Sequence, residues 1–169
     1  IINEVYDTRS FLQKFSEDEI AKSARYSFWY AKKVLNPPFG APWPKGENAI
    51  ATEAYYSFWY AKDVLKAAWP KGENAIATSA KASYDYAKNV LKAPWPKGED
   101  AIATDAEASY NYAKYVLKAP FPKGEDVLAE NAEWAWRVPE DSYSYKYAKE
   151  ILNDPDPKTW AKRHLEGRV

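Results

Sequence analysis

Trp43-Pro-Lys-Gly-Glu-Asn-Ala-Ile-Ala-Thr52 recurs unchanged as Trp69–Thr78, with one exchange as Trp95–Thr104, and more loosely from Phe121. The spacing is 26 residues. Each copy is followed by a segment that ends Tyr-Ala-Lys-x-Val-Leu or a close variant. A fixed period of this size marks a repeat architecture: one unit is too small to bury its own apolar face and stacks on its neighbours.

Within one copy, Gly46 and the prolines around Trp43 read as loop. Glu47–Ala51 reads as a short turn or helix with Glu47 at its positive end. Thr52 reads as an N-cap that starts a longer helix from about Glu53 to Lys66, and Pro70 ends it. Ala54, Ser57, Phe58, Ala61 and Leu65 fall on one helical stripe, widened by Tyr60 and Val64. No segment keeps a period of two, so an alternating strand–helix reading fails. The fold class expected is all-α: an α-solenoid of about five stacked short-helix/long-helix repeats with non-repeat terminal caps.

Aligned on the Ala of Tyr-Ala-Lys, the long helices centre on Ala31, Ala61, Ala87, Ala113 and Ala148. The first copy opens with Ser16-Glu-Asp-Glu-Ile20. Its loop carries four extra residues within Asn36–Pro42, and the fifth copy carries about nine, including Trp134, Trp136, Arg137 and Pro139. The expected organisation is a single domain over 1–169, with a cap at 1–14, five repeats over 15–153 and a second cap at 154–169.

The pattern Tyr-Ala-Lys-x-Val-Leu-x-x-x-Trp-Pro-Lys-Gly-Glu resembles short helical tandem repeats of phage and bacterial type, over roughly residues 15–153. The resemblance implies a stacked helical shape and no activity. The insertions and degenerate outer copies fit evolved repeats, whereas the absence of both Met and Cys also fits a designed chain.

Composition sets further bounds. Lys+Arg and Asp+Glu are both 24, so the net charge is zero, which argues against nucleic acid as the partner. No run of 18 apolar residues suggests a membrane span, and no signal-peptide pattern is visible, although the chain begins at Ile1. Without Cys there is neither a disulfide nor a thiolate metal site. The only histidine, His164, lies in the tail and reads as solvent-exposed. No zinc-protease, dinucleotide or phosphate-loop motif is present. Neither an enzyme, nor a cofactor, nor a metal is expected.

Positions −6, −2 and +2 from the aligned Ala vary freely between repeats. They read Arg25, Trp29, Lys33; Tyr55, Trp59, Asp63; Lys81, Asp85, Asn89; Glu107, Asn111, Tyr115; and Ser142, Lys146, Glu150. This i, i+4, i+8 series is one stripe opposite the core. Restraint-free drift of a surface would be polar, yet Trp29, Tyr55 and Trp59 stand here with Tyr26 and Tyr56 at −5. Clustered aromatics of this kind mark an interface; burial under a cap is the competing account. The candidate binding residues are therefore Trp29, Tyr55, Trp59, Arg25, Tyr26, Tyr56, Asp85, Asn111 and Tyr115. The expected partner is a protein or peptide. Self-association and a glycan or nucleotide stacked on Trp and Tyr are the alternatives.

Tyr30, Tyr60, Tyr86, Tyr112 and Tyr147 read as packing between repeats, each hydroxyl finding a partner at the rim. Trp43, Trp69, Trp95 and Phe121 read as pins that hold the loops. Lysine ladders at Lys32, Lys62, Lys88, Lys114 and Lys149, and at Lys45, Lys71, Lys97 and Lys123, read as structural cations near helix C-termini or repeated glutamates.

Overall fold

The computed structural model describes residues 8–35, 39–133 and 139–167. Residues 1–7 of the expected N-terminal cap, and Trp134, Trp136 and Arg137 of the fifth-copy insertion, lie outside them. All regular structure among the described residues is helical. Packing divides the chain into two compact units, Ile1–Thr78 and Ser79–Val169. Within each, long helices pack on the short helix that follows and on the next long helix in order, which is α-solenoid packing.

The short helices are Glu17–Ile20, Pro44–Ile50, Pro70–Ile76 and Pro96–Ile102. Pro-Lys-Gly is therefore helix, not loop as the sequence suggested. Proline at the first helical position lacks only an N–H that would have no intrahelical partner, and its φ is already suited to the helix. In the fifth copy a 3-10 turn, Pro122–Gly124, leads into the helix Glu125–Glu133. The first copy has no proline and uses a capping box instead. The Ser16 hydroxyl accepts from the Glu19 N–H, while the Ser16 N–H donates to Glu19 Oε2 at 2.8 Å.

In the second, third and fourth copies the N-cap of the long helix lies one residue after the threonine. Ser23, Ser79, Asp105 and Ser142 accept from the third N–H of their helices. Thr52, Thr78 and Thr104 turn back, and their hydroxyls donate to the carbonyls of Ala49, Ala75 and Ala101 at 2.7–2.8 Å. A Thr hydroxyl can serve either neighbouring helix end, and here the end of the short helix receives it.

Long helices run through Ala24–Trp29, Ala54–Trp59, Ala80–Tyr86, Ala106–Tyr112 and Tyr143–Glu150. The first four widen into π-helical turns, Tyr30–Val34, Tyr60–Leu65, Ala87–Leu91 and Ala113–Leu117. A left-handed residue follows each long helix, as its C-cap at Lys66, Lys92 and Lys118 and a few residues beyond its end at Gly40 and Asn153, with φ between 53° and 76°. The following N–H, at Ala41, Ala67, Ala93, Ala119 and Asp154, donates to the aligned Ala carbonyl at 2.9–3.3 Å. The first copy keeps this bond in spite of its four extra residues. The helices thus stop before the prolines, through a left-handed closure akin to a glycine C-cap.

Lysine is a poor fit for that conformation, because its Cβ crowds the neighbouring carbonyl. Lys92→Gly is therefore expected to raise stability by about 0.5–1 kcal/mol, read from chemical denaturation. A fall in stability would show that the Lys92 side chain contributes more than its backbone costs.

The core follows the small-residue stripe. Ala31, Ala61, Ala87, Ala113 and Ala148, and Ser27, Ser57, Ser83, Ser109 and Ser144, are fully buried. Ser27, Ser57 and Ser109 donate to the carbonyls of Ile20, Ile50 and Ile102 at 2.9–3.0 Å, tying each long helix to the end of the short helix before it. Ser144 has no such partner. The equivalent residue, Leu128, lies mid-helix in Glu125–Glu133 rather than at the end of a short helix.

The tyrosines and loop aromatics form one recurring lock. Trp43, Trp69, Trp95 and Phe121 are buried, with rings 4.6–5.2 Å from Tyr30, Tyr60, Tyr86 and Tyr112. The hydroxyls of Tyr60, Tyr112 and Tyr147 accept from the N–H of Trp43, Trp95 and Phe121 at 2.8 Å. The same hydroxyls donate to Glu47, Glu99 and Glu125 at 2.8–3.1 Å. Burial, reinforced by the facing carboxylate, pushes the Tyr112 hydroxyl up to about 12 and raises those of Tyr60 and Tyr147 as well.

The tail joins the same scheme. Trp160, in the helix Trp160–Leu165, is fully buried with its ring 5.5 Å from Tyr147, where a loop aromatic stands in earlier copies. His164 is not a free tail imidazole. Its ring lies 5.3 Å from Trp160, and its Nε2 is 2.9 Å from Asp126. In the first unit, residues 8–12 are helical and Leu12 is buried.

Candidate interaction surface

Each long helix carries the same internal pair. The lysine at +1 lies over the aromatic ring at −3, one helical turn back: Lys32 on Phe28, Lys62 on Phe58, Lys88 on Tyr84, Lys114 on Tyr110 and Lys149 on Tyr145. The separations are 5.2–5.6 Å. This places the lysine ladder as cation–π partners of the frame. The i, i+4 spacing of aromatic and lysine is the sequence signal of this pair. The loop lysines pair with carboxylates of the preceding copy, Lys71 with Glu47 at 3.5 Å and Lys123 with Asp100 at 2.9 Å. Lys45 likewise meets Asp18 at 2.9 Å.

In Ile1–Thr78 the variable stripe is an aromatic and cationic face. Lys32 Nζ lies 5.7 Å from the Trp29 ring and 5.8 Å from the Trp59 ring, so one ammonium sits between indoles of successive repeats. Lys62 lies 4.7 Å over Trp59, and Lys33 5.9 Å over Trp29. Lys32 also pairs with Asp63. Tyr55 is 48% exposed and Trp59 37%, while Trp29 is half-buried. Arg25 is exposed at the N-terminal end of the same stripe.

Two of the candidates have other surroundings. Tyr26 belongs to a separate exposed cluster, with Phe11 at 5.7 Å and Phe15 stacked at 6.4 Å. Tyr56 packs at 5.9 Å on Phe28, in the groove between two long helices, as a half-buried filling ring.

In Ser79–Val169 the face changes character. Tyr115 is 47% exposed beneath Lys88 at 4.3 Å and Lys114 at 5.4 Å. Lys114 also bonds the Tyr110 hydroxyl and Glu150, both at 2.8 Å, and this lysine holds the Glu150 carboxyl below its ordinary range. Asp85 is half-buried, 3.9 Å from Lys81. Asn111 lines a groove of about 260 Å³ with Ser79, Lys81, Tyr84, Asp105 and Glu107. Sequence reading missed this groove; its signal is alanine at −5, Ala108, where the first, second and fifth copies have Tyr26, Tyr56 and Tyr143.

Among the described residues no group of three or more His, Asp and Glu could hold a metal ion, and no helix is long and apolar enough to cross a membrane. No family model, no curated protein and no solved structure matches this chain.

Proposed function

We propose that this chain is a non-enzymatic repeat scaffold that binds a protein or peptide partner through the aromatic and variable face of its long helices. The observation that carries this reading is the shared lysine between Trp29 and Trp59, with Tyr55 and Trp59 open beside it. Large rings left this open on the changeable side of an otherwise constant frame are not required by the core, which keeps Asp85 and Asn111 at the same position, and such rings anchor interfaces. Arg25, Lys33 and Lys62 surround them, which suits a partner segment carrying carboxylates. The repeat's resemblance to phage and bacterial helical repeats carries no activity, so the chemistry of the face supplies the whole support.

Trp59→Ala tests it. Two partly exposed cation–π contacts and the ring contact with Phe58 are lost, so stability is expected to fall by about 2 kcal/mol. Loss of a central anchor weakens binding by about 2 kcal/mol or more, roughly thirtyfold. The check is a thermal melt together with quantitative capture from the native source by wild type and variant. Equal capture by both would remove this face as the site. Sedimentation that depends on concentration and is abolished by Trp59→Ala would identify the partner as a second copy.

A further inference from the structure

Two of the grooves between neighbouring long helices have the same kind of occupant. Tyr56 fills one, its ring 5.9 Å from Phe28. Tyr143 fills another, 5.8 Å from Tyr110, with its hydroxyl bonded to Glu107. Both rings come from position −5 of the later helix and lie against the −3 aromatic of the earlier one. Between the helices Ala80–Tyr86 and Ala106–Tyr112 the −5 residue is Ala108, and that groove is open, at about 260 Å³. Its −3 aromatic, Tyr84, still lines it.

We propose that this groove receives a tyrosine side chain from a separate basic peptide segment, which takes the place that Tyr56 and Tyr143 hold within the chain. Size supports it, since the space is below the roughly 300 Å³ at which cofactor and small-molecule pockets begin. Chemistry supports it too. Lys81 stands at the −6 position from which Glu107 bonds the Tyr143 hydroxyl, so its ammonium can donate to an incoming phenol oxygen. Asp105 and Glu107 on the opposite wall outnumber Lys81 by one charge, which favours a tyrosine flanked by lysine or arginine. The site lies wholly in Ser79–Val169, so it stands or falls independently of the Trp29–Trp59 face.

The test uses the full chain, isotope-labelled for NMR, and two synthetic peptides, acetyl-Lys-Tyr-Lys-amide and acetyl-Lys-Ala-Lys-amide. The tyrosine peptide is expected to shift the backbone amides of Tyr84, Ala108 and Asn111 saturably, and the alanine peptide to bind about tenfold more weakly or less. Ala108→Tyr supplies the missing ring internally; it is expected to raise the melting temperature and abolish those shifts. Equal response to both peptides, shifts confined to other residues, or undiminished binding by Ala108→Tyr would overturn the proposal. Should Ala108→Tyr fail to fold, the comparison of the two peptides on wild type decides alone.

Discussion

Gly98→Ala is expected to lower stability by about 3 kcal/mol, the upper end of what a single added methyl does in a packed core. The residue has no unusual φ; its role is space. A Cβ at Gly98 would meet Trp95 Cε3 at 2.4 Å, Trp95 Cζ3 at 2.6 Å and Ser83 Cβ at 2.9 Å. The long helix behind it cannot retreat easily, because Ser83 is itself fully buried. The indole would have to leave its place 4.9 Å from Tyr86. Alanine recovers about 0.5–1 kcal/mol of helix preference, which is too little to offset the clash. Gly46, Gly72 and Gly124 face the same geometry, with nearest approaches of 2.3, 2.3 and 2.5 Å. Chemical denaturation measures the effect; a loss below 1 kcal/mol would show that the ring and helix can move apart freely.

Tyr112→Phe is expected to cost about 2–3 kcal/mol although the ring is kept. It strips the buried Trp95 N–H of its acceptor and Glu99 of a donor at once. The pH dependence identifies the cause. Burial holds the native hydroxyl at about 12, against 10.0 for an ordinary phenol. A folded value above the unfolded one means that the native state keeps a proton which the unfolded chain releases. The contribution is therefore complete below pH 10, declines as pH rises from there, and is gone beyond pH 12; it amounts to about 2–3 kcal/mol. The stability gap between wild type and Tyr112→Phe should narrow between pH 10 and pH 12. A gap that stays constant over that range would place the cost elsewhere than the hydroxyl.

Much of the frame was legible because it depends on periodicity. The aligned alanines and the buried serines stand where a 3.6-residue stripe puts them, and the loop aromatics return with the 26-residue period. What escaped were features decided by local competition. Pro44, Pro70 and Pro96 read equally well as loop breakers or as first helical residues, and only the packing of Gly46, Gly72 and Gly98 against the long helices distinguishes the two. Thr52 could serve either of two helix ends. Lys66, Lys92 and Lys118 give no signal for a left-handed closure, which glycine or asparagine would have given. Trp160 and His164 looked peripheral because no 26-residue copy contains them, yet Trp160 completes the ring contact of Tyr147. On the variable face, the pairing of Lys32 with two indoles depends on the distance between successive helices, which sequence spacing does not contain.

The most direct test of a constant frame carrying a separable binding face is an exchange of stripes. Tyr55→Lys, Trp59→Asp and Asp63→Asn together give the second repeat the residues that the third holds at Lys81, Asp85 and Asn89. The measurement is partner capture by this triple variant, with helical circular dichroism and a thermal melt on the same sample. The expected result is wild-type helicity, one cooperative melt and loss of capture. Unfolding would show that the stripe is part of the core, and a folded variant that captures the partner as well as wild type would show that the partner binds elsewhere.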